Sequence, residues 1–284
     1  MINYYLLNRF FTQNTFSELI YSKNQNGIFN RTVEKYIQNP NQKTNVEVID
    51  ECYDYLIREY QNEYFYKNTI LNKLLLGVHS INTTSALSEF AVSKSKADFI
   101  LINGKAIVYE IKTGLDNFDR LETQLNDYYK AFKYVYVVTD EENYYPLYRF
   151  IKHKNPCVGI YVLTKRNTLS HRKEAVEKNG LLDYETIFKT LRKREFEEII
   201  LNYYSDLPNI PAAYYYRECL NLLRKIPIDS LYSEYLKVLK KRNKSNAEAI
   251  VDIPYSIRSL IYFSNFNRQE IIRLNDKLQE RFGA

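Results

Sequence analysis

The chain has 284 residues, a formal net charge of +6 and 45% hydrophobic residues, with 28 Tyr and no Trp. These values exclude a disordered chain and fit a mildly basic globular protein long enough for about two domains. No stretch reaches the roughly 18 apolar residues of a membrane span. The positive charge permits an anionic partner such as nucleic acid without requiring one. Cys52, Cys157 and Cys219 are far apart and odd in number, which excludes a disulfide framework or a CxxC zinc site. A reducing cytoplasm is therefore the expected location. The opening MINYYLLNRFF lacks the basic region and clean apolar run of a secretory signal. The excess of Tyr, Asn and Lys reads mainly as codon bias in an AT-rich genome.

Residues 1–78 read as helical. An apolar stripe through Leu6, Leu7, Phe10 and Phe11 predicts a helix over 3–19. Val48, Ile49, Cys52, Tyr55, Leu56 and Tyr60 recur at three- and four-residue steps and predict a longer helix over 46–66. Asn-rich breaks at 23–30 and 39–45, the second holding Pro40, mark loops, and 70–78 reads as a short apolar helix. Residues 79–165 change character. A short helix is expected at 84–92, strands at 99–102 and 106–111, and a helix at 119–132. Next come a buried strand at 134–139, a helix at 144–152 and a buried strand at 157–163. This order predicts an α/β fold with a mixed sheet. After Lys165 no further strand is expected, and helices are predicted at 183–193, 195–203, 214–223, 230–241 and 267–282. The organisation is thus a helical region over 1–78, an α/β core over 79–165 and a helical region over 166–284.

The chemistry concentrates in residues 98–112, DFILINGKAIVYEIK. Side chains on a strand alternate between faces, so Glu110 and Lys112 share one. Whether Asp98 joins them depends on the hairpin. A two-residue turn at Asn103-Gly104 sets Asp98 against Tyr109. A three-residue loop over 103–105, with Gly104 in the left-handed conformation, pairs 100 with 108 and sets Asp98 beside Glu110. A bulge near Asp98 has the same effect. Two adjacent carboxylates repel, and a divalent cation resolves that repulsion. Carboxylate and carbonyl oxygens suit Mg²⁺ or Mn²⁺, and the Ile111 carbonyl is a further candidate ligand. Lys112 would then stand near the metal-bound water.

Asp98 followed by Glu110-Ile111-Lys112 resembles the PD-(D/E)xK, or restriction-endonuclease-like, nuclease superfamily. Glu89 stands upstream, where many members carry an additional acidic ligand. Gln124 and Tyr128 form a QxxxY pattern similar to that of the RecB-like and resolvase-like branches. Taken together, Glu89-Phe-Ala-Val, Ala97-Asp98, Tyr109-Glu-Ile-Lys-Thr and Gln124-Leu-Asn-Asp-Tyr128 look most like small stand-alone bacterial nucleases. The resemblance spans about residues 86–165, and Ala97 replaces the proline of the motif's name. It implies a restriction-endonuclease-like core with a central mixed sheet flanked by helices, and a Mg²⁺- or Mn²⁺-dependent phosphodiester hydrolase leaving a 5′-phosphate. Glu89, Asp98, Glu110 and the Ile111 carbonyl would hold the metal. Asp98, Glu110, Lys112 and Gln124 would form the catalytic set, with Gln124 steadying the lysine or the phosphate. DNA is the expected partner ahead of RNA, with no membrane involved, and the chain is open to homodimerisation. The implied setting is genome defence or mobile-element biology. The alternative of another class is a nuclease-like module that binds nucleic acid or a partner protein without cutting it.

Other features read as structural. The basic clusters at Lys165-Arg166, His171–Lys173, Lys189–Arg194 and 237–244 are each expected to be a solvated helix face, though together they place a basic excess in the C-terminal region. The three histidines have no metal spacing, and neither a P-loop nor a GxSxG elbow is present.

Overall fold

The computed structural model describes residues 4–21, 27–77, 83–114, 116–242 and 250–283. The chain divides into two compact units, 1–82 with 243–284, and 83–242. The expected segments are thereby regrouped. Helices after Lys165 belong with the sheet as far as Arg242, and the last stretch belongs with the N-terminal helices. The start of the helix expected from Asn3, the loop at 23–26, the end of the 70–78 helix, His79 and Lys244 lie outside the described residues.

The first unit is helical. It contains α1 (Tyr5–Phe10), α2 (Gln13–Tyr21), α3 (Ile28–Tyr36), α4 (Asn45–Glu59) and α5 (Glu63–Ile70), which continues as a π-helical turn over Leu71–Leu75. Its C-terminal part supplies α12 (Arg258–Tyr262) and α13 (Arg268–Gln279), numbered last in the chain. Two of the expected helices are each split. The helix expected over 46–66 ends at Glu59, because the Asn62 side chain accepts the Phe65 N–H and starts α5 afresh. Thr44 with Glu47, and Asn267 with Glu270, form capping boxes on α4 and α13. Buried Asn68 joins the two parts of the unit. Its amide donates to the Tyr53 hydroxyl and the Tyr255 carbonyl, and its oxygen accepts from Ser259 N–H.

The second unit is an α/β fold built on a mixed six-stranded sheet. Its strands are β1 (Ser85–Val92), β2 (Ser95–Asn103), β3 (Lys105–Lys112), β4 (Tyr134–Asp140), β5 (Gly159–Leu163) and β6 (Leu169–Lys173), in spatial order β1-β2-β3-β4-β5-β6. The first three form an antiparallel meander, β3, β4 and β5 run parallel, and β6 returns antiparallel. The parallel steps are bridged by α6 (Leu121–Tyr128) and α7 (Tyr144–Lys154). Helices α8 (Tyr184–Thr190), α9 (Lys193–Leu201), α10 (Ala212–Arg224) and α11 (Ile228–Lys240) share one hydrophobic core with the sheet and α6, through Phe90, Phe132, Phe188, Ile200, Leu223 and Tyr235. The opposite face carries an aromatic row. Tyr109 stacks on Tyr136, and Tyr161 lies against both Tyr136 and His171.

Two elements correct the sequence reading. Residues 84–92, expected as a helix, form strand β1. Leu87 and Phe90 both reach the core, a three-residue spacing that mimics a helix. The cause is Glu89, whose φ of 53° breaks the alternation of faces between them. The turn into β2 is the Ser93-Lys94 pair, with Ser93 also at positive φ, so no Gly or Asn announces it. The second correction is β6. It is a polar edge strand, and the Lys165–Thr168 turn that leads to it uses Asn167 at φ 57°. Its polar Ser-His-Arg pattern carries little of the apolar signal by which strands are recognised. Among the described residues no helix is long and apolar enough to cross a membrane.

Candidate functional site

The β2–β3 hairpin has the register of the three-residue loop. Ile102 pairs with Ala106, Ile100 with Val108 and Phe99 with Tyr109, and Gly104 between the paired Asn103 and Lys105 has φ 69°. Continued one pair further, this register would set Asp98 opposite Glu110, but the β2–β3 pairing ends at Phe99 and Tyr109. On the other side, Ser88 pairs with Phe99 and Phe90 with Ala97, so Asp98 stands opposite Glu89. Glu89 and Asp98 therefore face one another across β1 and β2.

The sheet is irregular at that level. The β1–β2 pairing skips Glu89 and Asp98, and the β2–β3 pairing stops at Phe99 and Tyr109. Beyond it the Asp98 side chain takes over, its Oδ2 accepting the Ile111 N–H at 2.7 Å. A strand residue directs its N–H and C=O to the same edge, so the Ile111 carbonyl also points toward β2. A carboxylate oxygen of Asp98 lies within 4.8 Å of one of Glu89, which is exposed and ion-paired with Lys96 at 2.8 Å.

Glu110 is buried, at 1% exposure, on the face covered by α6. Its Oε1 accepts from Lys112 Nζ at 2.8 Å and from Gln124 Nε2 at 2.5 Å. Gln124 Oε1 accepts in turn from Lys112 Nζ at 3.0 Å, closing a triangle. The Tyr128 hydroxyl lies 2.6 Å from Glu110 Oε2 and 2.8 Å from the Lys96 carbonyl. Burial pushes the Glu110 carboxyl above its usual range, against the opposing pull of the Lys112 charge and the hydrogen bonds from Lys112, Tyr128 and Gln124. The same burial, with the Glu110 charge beside it, raises the Tyr128 phenol and keeps it protonated.

The structure thus brings Glu110, Lys112 and Gln124 into direct contact and sets Asp98 and Glu89 as a neighbouring acidic pair, with Ile111 bonded to Asp98 between them. Glu89 is on a strand, not on the expected helix. Oxygen donors of this kind (two carboxylates and a strand carbonyl) match the preference of Mg²⁺ and Mn²⁺. The direct partners of Glu110 in the fold are instead Lys112, Gln124 and Tyr128.

Sequence reasoning noted Tyr128 in a pattern but left it out of the site, as one tyrosine among many. It missed Asp127 altogether. Asp127 is buried and accepts from Ser95 Oγ at 2.8 Å and Lys94 N–H at 3.3 Å, with Lys130 Nζ 2.9 Å away. An acid three residues after Gln124, on the inward side of an amphipathic helix, is the signal that could have found it. The basic clusters are largely taken up in ion pairs, Lys189 with Glu185, Lys193 with Glu197, Lys237 with Glu234 and Lys241 with Glu198. The clusters around these lysines are solvated helix faces, whereas Lys165-Arg166 lies in a turn and His171–Lys173 on strand β6, not on helices as expected.

Comparison with known proteins gives one family. A family model described as Bacteriophage P4 protein cII matches residues 57–261, more than half of the chain and the whole stretch from Glu89 to Tyr128. No curated protein and no solved structure matches.

Proposed function

The chain belongs to the bacteriophage P4 protein cII family, and within that family we propose that it is a metal-dependent nuclease of the PD-(D/E)xK kind, hydrolysing phosphodiester bonds of DNA. The observation that carries the reading is the buried Glu110–Lys112–Gln124 triangle at the end of β3, with Asp98 bonded to the N–H of the intervening Ile111. A lysine and a carboxylate this deeply buried cost stability unless something is gained from them. The bacteriophage in the family's description accords with a role in mobile-element biology.

In this reading Asp98, Glu89 and the Ile111 carbonyl would hold Mg²⁺ or Mn²⁺, and Glu110 would join them by exchanging one of its present hydrogen bonds for the metal. The metal when bound supplies an activated water and offsets negative charge on the phosphate. The Lys112 ammonium, held by Glu110 and Gln124, would orient the attacking water and face the charge that develops on the phosphoryl oxygens. Gln124 is hydrogen-bonded to both the Lys112 ammonium and the Glu110 carboxylate and so holds the two side chains together. Asp98 is held by the Ile111 N–H, which limits its rotation.

Incubation with single- and double-stranded DNA and RNA in Mn²⁺ or Mg²⁺ tests the proposal. Cleavage that EDTA abolishes, and that Asp98→Ala removes, supports it. Cleavage that persists in EDTA, or binding of nucleic acid with no cleavage under any metal, overturns it, the second outcome being that of the non-cutting module.

A further inference from the structure

We infer that Asp127 is a positioning residue for the metal site, acting through the backbone of β2. The role rests on the proposed metal site, and measuring metal binding by the parent chain and its variants separates the two.

Three side chains of α6 reach the same part of the sheet. Gln124 and Tyr128 bond Glu110, and Tyr128 also contacts the Lys96 carbonyl. Asp127 bonds Lys94 N–H and Ser95 Oγ, at the turn Ser93-Lys94 and the start of β2. The helix that steadies Glu110 thus also grips three consecutive residues, 94 to 96.

The grip matters because Asp98 lies just beyond it, two residues after Lys96, at the level where the strand pairing skips Glu89 and Asp98. Ala97 and Ile100 both enter the core, so the alternation of faces breaks between them. Where one pair is skipped, the strand is held by the bonds on either side of it. Beyond the break the β2–β3 pairing from Phe99 to Asn103 fixes it. Before the break the β1 pairing of Ser95, Lys96 and Ala97 holds it, and α6 adds the Asp127 and Tyr128 bonds. Asp127 is buried, at 6% exposure, and its hydrogen bonds to a backbone N–H and a hydroxyl go to the hairpin. A surface helix gains little from burying a carboxylate in this way, whereas a site requiring two carboxylates at fixed separation gains a rigid approach.

The test is Mn²⁺ binding to the full chain, measured by calorimetry, with cleavage measured in parallel. Asp127→Ala is expected to weaken Mn²⁺ binding about tenfold, the effect found for residues that orient ligands without touching the metal. Ser95→Ala, which removes one of the bonds and leaves the helix intact, is expected to weaken it by roughly two- to threefold on the same scale. Asp127→Asn keeps an acceptor oxygen and should recover most of the loss. If the parent chain binds no Mn²⁺, the metal-site reading fails. If the parent binds and both Asp127→Ala and Ser95→Ala bind equally well, the positioning role fails. Should Asp127→Ala not fold, the Ser95→Ala result decides.

Discussion

Gln124 donates its amide to Glu110 at 2.5 Å while its carbonyl accepts from Lys112, so one side chain is bound to both members of a buried ion pair. This double role fixes which way the amide points, since the reversed orientation would set oxygen against carboxylate and N–H against ammonium. Gln124→Ala should therefore cost about 1–3 kcal/mol in urea unfolding, the penalty of leaving buried polar groups short of a partner. Gln124→Glu should cost more, because it sets a second carboxylate against Glu110. A Gln124→Glu variant as stable as Gln124→Ala would contradict this reading of the triangle.

The Glu110–Lys112 pair gives a second prediction. Lys112→Ala leaves a carboxylate buried without its counter-charge, and breaking such a pair costs about 3–5 kcal/mol. Adding Glu110→Gln removes the stranded charge, so the double variant should be more stable than Lys112→Ala alone. Losses that simply add would mean that the two side chains do not interact.

Two glycines are needed for different reasons. Gly104 has φ 69° and open space around its Cα, so Gly104→Ala meets only backbone strain, about 1 kcal/mol. Gly159 has no such strain, but a Cβ there would lie 2.3 Å from Tyr136 Cε1 and 2.7 Å from the Ala175 nitrogen. Gly159→Ala must displace the aromatic row or the neighbouring backbone, a strain of about 1–3 kcal/mol. Denaturation midpoints should rank Gly159→Ala below Gly104→Ala, and the reverse order would refute the packing argument.

Glu89 is expected to trade stability for function. It holds a left-handed backbone that a glycine adopts freely, and the strain is of order 1 kcal/mol. Glu89→Gly should be no less stable than the parent in urea while losing Mn²⁺ affinity. A clear destabilisation would show that the conformation is not strained, and unchanged affinity would remove Glu89 from the ligand set.

Much of the fold, and part of the grouping of residues at the candidate site, was legible in the sequence, for reasons that can be stated residue by residue. The runs YVYVVT and CVGIYVL could hardly be anything but buried strands, and the Asn-Gly-Lys loop carried the correct hairpin register as one of two alternatives. The placing of Gln124 near Lys112 came from the resemblance of the motif, and the fold puts the two in contact. The elements that failed are those whose pattern is locally broken. The left-handed Glu89 gave β1 a helical spacing, and the polar edge strand β6 had no apolar signal to read. Asp127 escaped because its partners, Lys94 and Ser95, are some thirty residues distant and are brought close only by the crossover of α6 over the sheet. The same distance hid the role of Tyr128, since nothing local says that its hydroxyl meets Glu110.

The measurement that bears most directly on the central claim is Mn²⁺-dependent cleavage of a panel of nucleic acids by the parent chain and by Glu110→Ala, with folding of both checked by circular dichroism. A metal-dependent nuclease should show phosphodiester cleavage by the parent, abolished by EDTA, and none by folded Glu110→Ala. Cleavage by Glu110→Ala at the parent's rate, or a well-folded parent that cuts nothing with either Mn²⁺ or Mg²⁺, would contradict it.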